Sequence, residues 1–131
     1  PRHPSIVPIL GVVPAKIPKL VMEYMESGSL KDILRNKGLV LDTEDLLSLL
    51  YDVCKGMRFL HEATPPIIHA DVKAENVLVD LNFRAKVSDF GLSRYKRPAM
   101  LPSGFSRVRV AVGTPSFMAP ELLRGETLPT R

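Results

Sequence analysis

The stretch IHADVKAENVLVDLNFRAKVSDFG, residues Ile68 to Gly91, decides how this chain is read. Asp71, Asn76 and Asp89 stand in it among short apolar runs. Val77-Leu78-Val79 and Ala85-Lys86-Val87 have the length and composition of short strands. Asp80-Leu81-Asn82 between them is turn chemistry, because Asp and Asn side chains bond nearby backbone groups. The spacing predicts a hairpin with Asn76 at its entrance and Asp89 at its exit, both facing one cleft. Carboxylate and amide oxygens converging there are hard ligands suited to Mg2+, whose shell is completed by waters and substrate phosphates.

Working outward, His69, Asp71, Lys73 and Asn76 fall in the order H-x-D-x-K-x-x-N, and Asp89-Phe90-Gly91 follows. The segment resembles the catalytic loop and metal-binding loop of a eukaryotic protein kinase. Ala119-Pro120-Glu121 stands where that family closes its activation segment. A lone D-F-G would carry little, but three ordered motifs at the family's spacing are specific. A structural turn rich in Asp and Asn does not account for their order.

The resemblance covers roughly residues 3–121. In HPSIVPILGV, LVMEYMESGSL and HADVKAENVLVD the chain is most similar to the tyrosine-kinase-like group of serine/threonine kinases. It implies an α+β, protein-kinase-like fold. Residues 1–25 would be small-lobe strands and hinge, and 26–131 the large lobe through the A-P-E motif. No glycine-rich loop, small-lobe lysine or regulatory-helix glutamate is found in the 131 residues. A partial kinase domain, without measurable activity by itself, is therefore the expectation.

The resemblance also implies cofactors and roles. ATP and Mg2+ would be bound, and a protein substrate phosphorylated. Asp71 would orient the acceptor hydroxyl and take its proton, and Lys73 would neutralise the moving phosphoryl group. Asn76 and Asp89 would hold Mg2+. Leu78 would form the floor under the adenine, Met22 would be the gatekeeper, and Glu23 and Met25 would offer main-chain contacts. His69 and Phe90 would pack and support the loop, and Glu121 would pair with an arginine of the lower lobe. Lys73 together with Thr114, in G-T-P-x-x-M-A-P-E, implies a serine or threonine acceptor. Ala70 departs from the family, most of which has arginine there. A methyl group offers no donor to a phosphate on Ser93, Ser103, Ser106 or Thr114, so weak dependence on loop phosphorylation is expected. The alternative is a pseudokinase or scaffold that binds partners without catalysis. The retained Asp71, Lys73, Asn76 and Asp89 argue against it.

Composition sets outer bounds. An apolar content of 45% suffices for a buried core. No apolar run is long enough to span a bilayer, and the richest, Ile6 to Val13, is broken by Pro8. No signal-peptide pattern is present, and a cytosolic location is expected. A single cysteine, Cys54, allows no internal disulfide and is read as a buried, inert thiol. The net charge is +4, and between Arg84 and Arg109 seven cations face one acid. Neither interleaved aromatics nor a nucleic-acid motif accompanies them, so a solvated loop is read there and nucleic acid is not an expected partner.

The remaining elements follow from pattern. Strands are expected within Ile6 to Val13 and Lys19 to Tyr24, and a short helix over Leu30 to Asn36 with Gly38 as its stop. A long helix is expected from Thr43 to Glu62, capped by Asp42 or Thr43 and ended by Pro65-Pro66. Its apolar stripe is read as Leu46, Leu50, Val53, Met57 and Leu60, with Leu47, Cys54 and His61 alongside. Ser93 to Val112 is read as an irregular basic loop with Ser103-Gly104 at its tip, and a further helix as starting at Leu122.

Overall fold

Helix α2, Thr43–Glu62, is the element on which the rest of the chain is laid. Its N-cap is Asp42, whose Oδ1 accepts the Asp45 N–H at 2.8 Å, and Glu44 and Asp45 complement the positive end of the helix dipole. The computed structural model describes residues 2–90, 93–95 and 113–124. Gly91, Lys96, Arg97, Ser103, Gly104, Ser106, Arg107 and Arg109 lie outside the described residues.

In chain order the elements are β1 (Ile9–Val13), β2 (Lys19–Met22), α1 (Leu30–Arg35), α2, β3 (Ile67–Ile68), β4 (Val77–Val79), β5 (Ala85–Val87), β6 (Arg94–Tyr95) and α3 (Pro120–Leu123). The strands form three antiparallel pairs, β1 with β2, β3 with β6, and β4 with β5. Helix α1 begins with a capping box, in which Ser29 accepts the Asp32 N–H and the Asp32 carboxylate accepts the Ser29 N–H. Among the described residues no helix is long and apolar enough to cross a membrane.

The face α2 turns inward is the expected one only in part: Leu60 is buried, and Val53 and Met57 pack against the core. Leu49, Asp52, Gly56 and Leu60 are its buried residues, whereas Leu47 is 59% exposed and Leu50 is exposed too. Cys54, expected to be buried, is exposed. The burial stripe lies about one residue around the helix from the most apolar reading, because it contains an aspartate and a glycine. Gly56 is required by proximity: a Cβ there would stand 2.6 Å from the Ser5 carbonyl oxygen. Asp52 is 2% exposed and accepts Arg84 Nε at 2.8 Å, Arg84 Nη2 at 2.7 Å and the Ala85 N–H at 3.2 Å. Lys55 Nζ adds a fourth contact at 2.8 Å. Burial pushes the Asp52 carboxyl up, but Arg84, Lys55 and the Ala85 N–H together outweigh it and hold it below its ordinary range.

One apolar cluster joins Leu30, Ile33, Leu49, Val77, Val79 and Ala85, and a second joins Ile6, Leu60 and Val87. Full burial of each Leu, Ile or Val side chain among them stabilises the fold by about 1.5–3 kcal/mol. Thus α2, α1 and the inward face of the β4–β5 hairpin form one block. Ile6 adds a parallel bridge to Val87, with the Val7 N–H donating to the Val87 carbonyl at 3.0 Å.

Several further details differ from the pattern reading. Arg94–Tyr95 is a strand, paired to Ile67–Ile68, where an irregular loop was expected. Helix α1 ends at Arg35, one residue short of the expected Asn36, which is its C-cap. α3 starts at Pro120, not Leu122, because proline at the first helical position is already set for a helix. Arg84 and Lys86 do not form an open basic patch, since Asp52 and Glu23 neutralise them.

Candidate active site

The β4–β5 hairpin carries the site. Val77 faces Val87, Leu78 faces Lys86 and Val79 faces Ala85. The Asp80 carboxylate closes the turn by accepting the N–H groups of Asn82 at 2.8 Å and Arg84 at 3.0 Å, an Asx arrangement. At the open end, the Ser88 N–H and Oγ both donate to the Asn76 carbonyl, at 2.8 and 3.0 Å. Asn76 is thereby tied next to the residue preceding Asp89. The expected entrance and exit are both as read.

His69 holds the loop that enters this hairpin. It is fully buried, and its Nδ1 accepts the Asp71 N–H at 3.2 Å. Nε2 therefore carries the proton and donates to the Ser88 carbonyl at 2.8 Å. Its ring lies 5.2 Å from that of Phe90. His69 is a structural clamp between catalytic loop and hairpin, as expected of it.

Asp71 is the centre of the arrangement. Its Oδ1 accepts the Thr114 N–H at 2.9 Å and Thr114 Oγ1 at 2.7 Å. Its Oδ2 faces Lys73 Nζ at 2.8 Å and accepts Asn76 Nδ2 at 3.0 Å. Lys73 also donates to Thr114 Oγ1 at 2.6 Å, closing a ring of three side chains. These donors, Lys73 first and Thr114 second, lower the Asp71 carboxyl to about 2. Asp71 in turn raises the Lys73 ammonium, with smaller contributions from the charges of Glu75 and Asp89. Asp89 is therefore within electrostatic reach of the same cluster, on an exposed position.

Backbone strain accompanies these side chains. Ala70 and Asp89 adopt φ of 68° and 60°, the left-handed region in which non-glycine residues are uncommon. Gly113, at φ 134°, lies so close that a Cβ would stand 2.8 Å from the Ala70 carbonyl oxygen. Only glycine lets Thr114 approach Asp71 in this way.

The donor set at the hairpin mouth suits a hard cation. Asn76 is buried, and its Nδ2 is committed to the Asp71 carbonyl at 2.9 Å as well as to Oδ2, which fixes the amide orientation. Its Oδ1 and the Asp89 carboxylate are the groups that the sequence reading assigns to the cation. One amide oxygen and one carboxylate fit Mg2+, which keeps much of its water.

The residues expected to form the hinge are tied to the same hairpin. Leu78 is half-buried on the face of β4–β5 that points away from α2. The Glu23 N–H donates to the Pro8 carbonyl at 3.1 Å, and the Met25 carbonyl accepts the Gly28 N–H at 3.1 Å. The Ser27 N–H then donates to the Val79 carbonyl at 3.1 Å, so the hinge is hydrogen-bonded to β4. Met25 is buried and Met22 exposed. A cavity of about 720 Å³ opens beside Phe90, lined by Ile6, Val7, Leu60 and Ile67, and none of the expected site residues lines it.

Pattern reading passed over three residues that shape this site. Lys31 of α1 pairs with Glu75 of the catalytic loop, Arg84 pairs with Asp52, and Lys86 pairs with Glu23. Each joins positions more than 30 residues apart, and no local spacing announces them.

The chain is similar to protein kinases over nearly its whole length. The family model for protein tyrosine and serine/threonine kinases matches residues 1–130. The chain is 46% identical over 129 residues to serine/threonine-protein kinase CTR1 of Arabidopsis thaliana, covering 95% of this chain and 15% of that protein. It is 44% identical over 133 residues to the probable serine/threonine-protein kinase drkC of Dictyostelium discoideum, covering 95% and 16%. With drkA of the same organism it shares 39% over 127 residues, covering 95% and 18%. The chain thus spans about one-sixth of the length of the curated relatives it matches.

Proposed function

Since the chain belongs to the protein tyrosine and serine/threonine kinase family, we propose that it carries the catalytic loop of an enzyme moving the γ-phosphoryl group of ATP to a serine or threonine hydroxyl. The observation that carries the proposal is the closed ring of Asp71, Lys73 and Thr114. Thr114 Oγ1 lies within hydrogen-bond distance of both Asp71 and Lys73. An acceptor hydroxyl has to reach the same two groups.

In the reaction the bond from the γ-phosphorus to its bridging oxygen breaks, and a bond to the acceptor oxygen forms. The acceptor proton passes to Asp71. A carboxylate lowered to about 2 is a weak base. Asp71 therefore orients the hydroxyl and takes its proton late, consistent with a loose transition state. Lys73 neutralises the transferred group, and Thr114 holds Asp71 in place. Mg2+, held by Asn76 and Asp89, would supply charge neutralisation at the nucleotide phosphates. The Glu23 and Met25 main chain would receive the adenine over Leu78, beside Met22. Ala70 brings no cation to the loop, which supports activity that depends weakly on loop phosphorylation.

Phosphoamino-acid analysis of the autophosphorylated full-length protein tests the acceptor class. Phosphoserine and phosphothreonine are expected. A dominant phosphotyrosine signal refutes the acceptor assignment. Tight ATP binding without any transfer would refute the enzyme reading in favour of a scaffold.

A further inference from the structure

We infer that the ion pair between Lys86 of β5 and Glu23 of the hinge positions the hinge over the adenine floor, making Lys86 a positioning residue for the nucleotide. The inference rests on the kinase reading above and assigns a new role within it.

Lys86 and Leu78 are direct cross-strand partners, so their side chains share one face of the hairpin. The flanking residues Val77, Val79, Ala85 and Val87 are buried on the opposite face. Lys86 therefore stands beside the residue expected under the adenine and reaches from there to the hinge. Its Nζ meets Glu23 Oε2 at 2.6 Å, across 63 residues of sequence. The lysine side chain is 15% exposed and the glutamate 40%, against 77% and 62% for the surface pair Arg58–Glu62. The lysine end is covered and the glutamate end open, so water and salt screen this pair less than the surface pair.

The location matters as much as the strength. β2 ends at Met22, and the next backbone bond from the hinge to the hairpin is made by Ser27 to Val79. Tyr24 and Glu26 between them are exposed. The Glu23 N–H is bonded to Pro8, which belongs to the β1 side. Lys86 thus pins the start of the span 23–26 to the hairpin, and Val79 pins its end. With both ends fixed, the Glu23 and Met25 main chain keeps a set height above Leu78. Adenine then meets a slot that is already formed, and preorganisation of this kind acts on affinity.

The test uses the full-length protein, with ATP binding measured by calorimetry and kcat and KM measured on a generic protein substrate. Lys86→Met and Glu23→Gln are each expected to raise Kd and KM for ATP about fivefold or more, with a much smaller change in kcat. The exchanged double variant, Glu23→Lys with Lys86→Glu, should return the ATP affinity to within about twofold of the starting value, which a general loss of stability would not allow. Single variants that bind ATP as the unsubstituted protein does would overturn the inference alone. A double variant as weak as the sum of the singles would overturn it too. An unsubstituted protein that binds no ATP would overturn the kinase reading, and this inference with it.

Discussion

Two hairpins among the described residues, β1–β2 and β4–β5, have similar apolar sequences and opposite fates. In β4–β5 the inward residues Val77, Val79, Ala85 and Val87 are buried, at 3% exposure or less. In β1–β2 the residues Ile9, Leu10, Val12 and Leu20 are all more than half exposed. The difference lies in what stands behind them. Helix α2 lays Leu49, Asp52 and Leu60 against β4–β5 and its flanks, and among the described residues no helix does the same for β1–β2. The residues proposed to act on the phosphoryl group, Asp71, Lys73 and Asn76, therefore adjoin a core-backed hairpin. The residues proposed to receive the adenine, Glu23 and Met25, follow a strand end held by backbone bonds and one ion pair. Chemistry and nucleotide affinity should accordingly be separable.

The largest effect expected is on turnover. Asp71→Asn in the full-length protein should lower kcat by about 10²–10⁴ while ATP affinity changes little, because the substitution lies on the core-mounted side. Asp89→Asn should instead weaken Mg2+-dependent nucleotide binding. Calorimetric titration of ATP with and without Mg2+ separates the two. Equal loss of affinity in both variants would break the distinction.

Next in size are the contacts that mount the hairpin on α2. Asp52→Ala leaves the buried Ala85 N–H without its acceptor and frees the half-exposed Arg84, and a cost of about 1–3 kcal/mol is expected in urea unfolding. Gly56→Ala would ordinarily favour a helix by about 1 kcal/mol. Here the new methyl meets the Ser5 carbonyl, so a net loss of about 1–3 kcal/mol is expected instead. A stabilised Gly56→Ala protein would show that the turn before β1 is looser than the packing implies.

The smallest effect is on pH dependence. The Asp71 carboxyl is lowered in the folded state, from an ordinary 3.8 to about 2. Its contribution to stability is therefore fully present above the ordinary value and is lost as pH falls from there toward 2. Thr114→Val removes the hydroxyl donor and should shift the Asp71 titration upward, measured by carbon NMR of the labelled carboxyl. An unmoved midpoint would mean that Lys73 and the backbone N–H at position 114 set it without the hydroxyl.

Much of the site was legible because its parts are local. Asp71, Lys73, Asn76 and Asp89 lie within 19 positions of one another, and the turn at Asp80 dictates that the chain fold back on itself. The bounds of β4, β5 and α2 are those read from composition and capping residues. Burial on α2 was misread for a physical reason. Its inward face includes an aspartate whose charge is cancelled by Arg84 and a glycine chosen for close approach, and neither registers as apolar. Likewise β6 was missed because two residues, Arg94 and Tyr95, carry no strand pattern of their own and become a strand only against Ile67–Ile68.

By itself, then, the sequence determined the order of the motifs and the helix and hairpin that bear them, since these depend on spacing, turn chemistry and capping. Tertiary structure alone decided which face of α2 is buried, that Thr114 closes on Asp71, and that Lys86 reaches Glu23. Those contacts join positions 32 to 63 residues apart, and the energy that selects them arises only when the chain has brought them together.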